Sequence, residues 1–120
     1  MIAVFDTNIV IDALNGIAAA DAEYARYERV LISRITWIET MVGAQGDEPR
    51  VRDFLAQFFV AAPLDEATAE MTVQLRREYR MRLPDAMIWA TARVQGAELV
   101  TRNTKDFNPS WTGIRVPYSL

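Results

Sequence analysis

Five short apolar runs, the first three each followed by two stretches of helical periodicity, set most of what this chain can fold into. The first run, Ile2 to Phe5, stops abruptly at Asp6-Thr7-Asn8. Val30-Leu31-Ile32 is the second, Phe59 to Ala62 the third, Glu98 to Thr101 the fourth and Ile114 to Tyr118 the fifth. Short apolar runs bounded by polar turn-formers suit strands buried on both faces. Between the first two, Ile9, Val10, Asp12, Ala13 and Leu14 form a short helix ended by Asn15-Gly16, and Ala19 to Arg29 a polar one. Ser33 caps the next helix, striped by Ile35, Ile38 and Val42; Pro49 opens another, striped by Val51, Phe54, Leu55 and Phe58. Asp65 caps a helix with Ala67, Met71 and Leu75 inward, and Leu83-Pro84-Asp85 opens one that closes at Gly96. The order β-α-α-β-α-α-β-α-α-β-β requires helical crossovers. It predicts an α/β chain with a central, mainly parallel sheet covered by helices on both faces.

The length, 120 residues, is that of one domain, residues 1–120. A chain of this size folds to roughly 6,600 Å² of accessible surface, which affords one core rather than two. There is no cysteine and no histidine. Disulfides, thiol nucleophiles, Cys-based zinc sites, Ser-His-Asp hydrolysis and histidine-driven ribonuclease chemistry are therefore excluded. Any catalysis must come from carboxylates, hydroxyls, amides, arginines or a metal. No apolar run approaches the ~20 residues of a membrane span, and the start lacks a basic segment and cleavage site, so the cytoplasm is the expected location.

The acids then become informative. Asp6 follows the first strand directly. Glu39 lies about two turns into the helix after the second, Asp85 is in the first turn of the helix before the fourth, and Asp106 comes five residues after Thr101. Taken singly each has an ordinary explanation: a turn or cap residue, the edge of an apolar stripe, a first-turn acid favoured by the helix dipole, a loop residue. In a parallel sheet, however, the ends of the first and fourth strands share one edge, and a helix leading into the fourth strand starts near it. Four acids spread over a hundred positions are thus expected around one pocket, where ligands of such sheets bind. Converging carboxylates repel one another unless a cation joins them, and Mg²⁺ or Mn²⁺ is the oxygen-liking cation suited to phosphodiester hydrolysis.

The blocks Phe5-Asp6-Thr7-Asn8, Ser33 to Glu39, Pro84-Asp85-Ala86-Met87-Ile88-Trp89-Ala90-Thr91-Ala92 and Leu99 to Phe107 resemble, in order and spacing, a PIN-domain protein, most closely a VapC-type toxin ribonuclease of bacterial toxin–antitoxin pairs. The resemblance runs from residue 2 to about 118. It implies a PIN-like three-layer α/β/α fold and a metal-dependent endoribonuclease whose catalytic and metal-binding acids are Asp6, Glu39, Asp85 and Asp106. Thr7, Asn8, Thr101 and Asn103 would support them. Many relatives carry an acid where this chain has Asn103, and others carry Asn there with the later Asp, here Asp106, in the fourth place; Asn103 keeps an oxygen but loses a charge. The resemblance also implies an RNA substrate, Mg²⁺ (Mn²⁺ as substitute), a cognate antitoxin and a homodimer.

The net charge of −3 becomes +1 once the four acids are set aside, so RNA contact would rest on local arginines. Arg76, Arg77, Arg80, Arg82 and Arg102 are the candidates, each equally readable as part of a solvated face. Trp37, Trp89 and Trp111 could stack on bases, though Trp89 sits in an apolar helix. Trp37, Met41, Phe54, Phe58 and Phe59 exceed what so small a core needs, so a surface covered by a partner is expected around Ile35 to Phe58. Two rivals stand beside the ribonuclease. One is an aspartyl-nucleophile phosphoryl hydrolase, which would want an acid where Asn8 stands. The other is a non-catalytic PIN-like module that binds RNA or protein.

Overall fold

A computed structural model describes residues 1–120. The strands are β1 (Ile2–Phe5), β2 (Arg29–Ser33), β3 (Val60–Ala62), β4 (Glu98–Val100) and β5 (Ile114–Arg115). The helices are α1 (Thr7–Leu14), α2 (Ala18–Tyr24), α3 (Arg34–Val42), α4 (Glu48–Phe58), α5 (Glu66–Tyr79) and α6 (Leu83–Val94). The chain order is the expected one. All four strand pairings are parallel, in the order β3-β2-β1-β4-β5. The first crossovers move outward from β1 to β2 and β3, and the chain then returns to lay β4 on the other side of β1. The region beyond the carboxyl ends of β1 and β4 is therefore the switch point of the sheet, the place where such sheets bind ligands.

Alternation along each strand splits the core between the two sheet faces. Ala3, Phe5, Val30, Ile32 and Val100 face a cluster completed by Ile9, Val10, Val51, Leu55 and Phe59. Val4, Leu31 and Leu99 face one completed by Leu75, Ile88, Trp89 and Phe107. Accessible surface is 6671 Å², matching the size expectation. Trp89 is core, stacked at 5.0 Å between centroids on Trp111, which also packs on Tyr79. Trp37 is half-buried beneath the guanidinium groups of Arg34 and Arg52. Gly96, at φ +63°, supplies the left-handed turn that ends α6.

Two helices bury a different face from the one expected. In α3 the buried residues are Thr36 and Thr40, while Ile38 is 43% and Val42 74% exposed. In α5 they are Thr68, Thr72 and Leu75; Ala67 is exposed and Met71 only half-buried. The cause is shared. The hydroxyls of Thr40 and Thr72 donate to the carbonyls of Thr36 and Thr68, one turn back, at 2.8 Å each, and Thr68 donates to Asp65. A threonine satisfied in this way buries its methyl as an apolar residue would. Of the apolar excess around α3 and α4, Phe59 is core, while Trp37, Met41 and Phe54 are half-buried and Phe58 is exposed. β5 is shorter than expected: the chain leaves the sheet after Arg115 and Tyr118 turns its hydroxyl onto Asp12 at 2.7 Å.

Candidate active site

Asp6 stands at the switch point. Its N–H donates to the Val100 carbonyl at 2.9 Å, extending the β1–β4 ladder by one residue, and it then becomes the N-cap of α1. Three donors fix the carboxylate, which is 4% exposed. The Thr7 N–H donates to Oδ1 at 2.7 Å; the Thr101 hydroxyl and the Asn8 amide donate to Oδ2 at 2.7 and 3.4 Å. Thr101, fully buried just past β4, also accepts from the Asn103 N–H at 2.9 Å. The Asn8 carbonyl accepts from the Arg102 N–H at 3.2 Å, so one amide ties the start of α1 to the loop after β4.

The other acids arrive from separate elements. Glu39, exposed on α3, accepts from the Thr7 hydroxyl at 2.7 Å, and that hydroxyl lies 3.1 Å from the hydroxyl of buried Thr36. Asp85, in the first turn of α6, is 5% exposed and accepts from Arg82 Nε at 3.2 Å. Arg82 Nη2 lies 3.6 Å from Asp106. Asp106 is held by Asn103 in a reciprocal pair: the Asn103 amide donates to it at 2.9 Å, and its own N–H donates back to the Asn103 carbonyl at 3.2 Å. Asn103 thus positions the fourth acid, a role for an uncharged residue there.

The four acids share one electrostatic field. Burial pushes the Asp6 carboxyl up from 3.8 to about 6; the Thr101 and Thr7 hydrogen bonds oppose this, and the charges of Asp85 and Glu39 add to it. Burial likewise raises Asp85 against the pull of Arg82, with Asp106 and Glu39 adding repulsion. As they stand, no three acidic side chains converge tightly enough to clasp a metal ion. The donor chemistry nonetheless fits a hard dication. Every donor is a carboxylate, hydroxyl or amide oxygen, two of the acids are buried and held high by their surroundings, and one guanidinium faces several negative charges.

The arginines divide. Arg82 lies against the acids. Arg77 and Arg80 are exposed and, with Thr72, Val73, Arg76 and Leu83, line an open groove. Arg76 also braces the α5–α6 turn, donating to the Met81 carbonyl at 2.9 Å. Arg102, expected among the phosphate contacts, is instead committed to buried Asp12 through bonds of 2.6 and 3.0 Å. Asp12 and its partners are not legible in the sequence: an acid beside the stripe of α1 meets an arginine ninety positions away. Glu23, buried under Arg115 and Tyr27, escapes sequence reasoning for the same reason. For Thr36 the available signal was its position one turn before Thr40 on a helix that carries Glu39.

The model of the PIN domain family matches residues 3–108. Among solved structures, a toxin-antitoxin complex from Klebsiella pneumoniae contains a chain 43% identical to this one, with TM-score 0.91, the match covering 98% of this chain and 99% of that one. DNA-bound VapBC from Salmonella typhimurium is similar at 25% identity and TM-score 0.76, over 96% of both chains. FitAcB from Neisseria gonorrhoeae shares the fold, at 24% identity and TM-score 0.80 over 100% of both chains. No curated protein matches the chain.

Proposed function

The chain belongs to the PIN domain family, and from that membership we propose that it is the toxin of a VapBC-type toxin–antitoxin pair, acting as a dication-dependent endoribonuclease. The whole of residues 1–120 is taken as one PIN domain. The observation that carries the reading is Asp6: a buried carboxylate at the switch point of a parallel sheet, aligned by three donors and facing two further acids. Such an arrangement is costly for folding alone and suits cation binding.

Mg²⁺, with Mn²⁺ as substitute, would be held by Asp6 and Asp85 with Glu39 and Asp106 in support. Bound there, it supplies Lewis acidity toward a phosphodiester and its attacking water. The chain's own groups do the rest. The Thr101 hydroxyl fixes Asp6 and the Thr7 hydroxyl holds Glu39. Glu39, exposed and hydrogen-bonded only by Thr7, is free to complete the ligand set or to take the proton of the attacking water. Asn103 holds Asp106. Arg77 and Arg80, on the groove beside α6, are placed to meet phosphates of the flanking RNA.

The partner in the Klebsiella pneumoniae complex motivates a cognate antitoxin for this chain. The exposed Ile38 and Val42, beside half-buried Trp37 and Met41, support a second surface closed by a partner, a homodimer being the simplest. No helix is long and apolar enough to cross a membrane, and the proposed place of action is the cytoplasm. The test is cleavage of a synthetic RNA by the purified protein, with Mg²⁺ or EDTA, beside growth after induction in cells. Metal-dependent cleavage with growth arrest is expected. RNA bound but uncut at every metal concentration would favour the non-catalytic module.

A further inference from the structure

Arg82 stands apart from the other arginines of this region. It is the N-cap residue of α6, yet its side chain makes no cap and turns instead onto two acids at once, Asp85 through Nε at 3.2 Å and Asp106 through Nη2 at 3.6 Å. Asp85 and Asp106 come from different elements, twenty-one positions apart, so this one fork bridges α6 and the loop after β4. The backbone beneath Arg82 is anchored: Met81 is buried with its carbonyl held by Arg76, and Pro84 follows at the start of the helix. The side chain itself is 71% exposed. It is therefore tethered at a fixed point and free to leave.

We propose that Arg82 is an internal counter-cation that occupies the acid pocket in the metal-free chain, competes with the incoming dication, and is released toward solvent when the ion binds. The inference rests on the reading of these acids as dication ligands. Its physics is simple. Asp85 is buried beside acids that repel it, and the guanidinium relieves that repulsion from outside. A dication held by Asp85 and Asp106 would meet the same carboxylate faces and repel a guanidinium within a few ångströms, so both cannot keep these contacts. Displaced, Arg82 remains on its tether at the rim of the pocket, where a phosphate oxygen arriving at the ion would find it. In the resting protein the cost is weakened metal affinity; the gain is a settled pocket without metal.

The test compares wild type with Arg82→Gln, Arg82→Lys and Arg50→Gln by Mn²⁺ calorimetry and by melting in EDTA. Arg50, on α4, pairs only with Asp47, the residue before that helix, and controls for loss of one positive charge. Arg82→Gln should bind Mn²⁺ about tenfold more tightly and melt lower in EDTA; Arg82→Lys, which cannot fork between two acids, should fall between; Arg50→Gln should stay within about twofold of wild type. A reading on the unmutated protein covers the case of a poorly folded variant: the Arg82 Nε–H resonance should be shifted and slowly exchanging in EDTA and move to the position of a free arginine with Mg²⁺. Mn²⁺ affinity unchanged or weaker in Arg82→Gln, or an Nε–H resonance indifferent to Mg²⁺ in a protein that binds it, overturns the role of Arg82 and leaves the dication reading standing. No Mn²⁺ binding by any folded variant overturns both.

Discussion

Asp6→Asn is expected to leave RNA essentially uncut and yet make the metal-free protein more stable at pH 7. The two effects have one source. The Asp6 carboxylate lies almost fully buried, and burial pushes it up from 3.8 to about 6. Between these values the folded protein holds a proton that the unfolded chain has released, so stability falls as pH rises. Below 3.8 the group contributes nothing; above about 6 the full penalty is present, about 3 kcal/mol. The amide removes the charge and the penalty. It also disturbs the bond to Thr101, whose hydroxyl already accepts from Asn103, at a cost of about 1 kcal/mol. A net gain of about 2 kcal/mol should appear in EDTA at pH 7 and turn into a loss of up to about 1 kcal/mol near pH 4. Cleavage should fall by at least about a thousandfold, because the ligand charge and the chemistry it supports are lost together. Urea melts across pH 4 to 7, paired with a cleavage assay, check both. A variant less stable than wild type at pH 7 in EDTA would mean that the Asp6 charge serves the fold.

The second large effect lies far from the acids. Glu23→Ala should cost about 2–4 kcal/mol and lower Tm by roughly 10 °C, with cleavage by the folded fraction unchanged. Glu23 is buried on α2, receives the Arg115 guanidinium on both oxygens at 2.7 and 3.0 Å, and takes the Tyr27 hydroxyl at 2.9 Å. It fastens edge strand β5 across the body of the protein. Removal leaves a partly buried guanidinium without its carboxylate. Those bonds hold the Glu23 carboxyl below its usual 4.5, as Arg102 and Tyr118 do for Asp12. Their contribution is therefore present above the unfolded value and lost as pH falls through the lower folded one. The loss of these bonds as pH falls below about 4.5, and the Asp6 penalty that grows from 3.8 to about 6, together predict greatest metal-free stability near pH 4.5. Thermal melts of wild type and Glu23→Ala over that range test the pair.

The element order was legible because the strands are apolar on both faces and nothing else in the chain is both so short and so apolar. The faces of α3 and α5 were not. Thr36, Thr40, Thr68 and Thr72 count as polar in a periodicity, yet each faces the interior with its hydroxyl satisfied, Thr40 and Thr72 by carbonyls one turn back, Thr36 by Thr7 and Thr68 by Asp65, and Ile38 and Val42 are left outside. That Asp6 and Thr101 would meet followed from topology, since parallel neighbours end at one edge. The direction of a long side chain did not follow. Arg76, Arg77, Arg80, Arg82 and Arg102 read alike in sequence; in the structure Arg82 faces acids, Arg76 braces a turn and Arg102 is spent on Asp12. Long-range ion pairs carry no local signal, which is why Glu23 and Asp12 passed unnoticed.

The most direct measurement of the proposed chemistry uses Asp85→Asn, because Asp85 also has an ordinary explanation as a first-turn acid of α6. Single-turnover RNA cleavage in Mn²⁺ and melting in EDTA are measured on the same preparation. If Asp85 holds the dication, cleavage falls by about a thousandfold or more while EDTA stability is unchanged or higher, since a buried, repelled charge has been removed. If Asp85 serves only the helix dipole, the variant loses about 0.3–1 kcal/mol in EDTA and cuts RNA in Mn²⁺ as wild type does, which contradicts the proposed site.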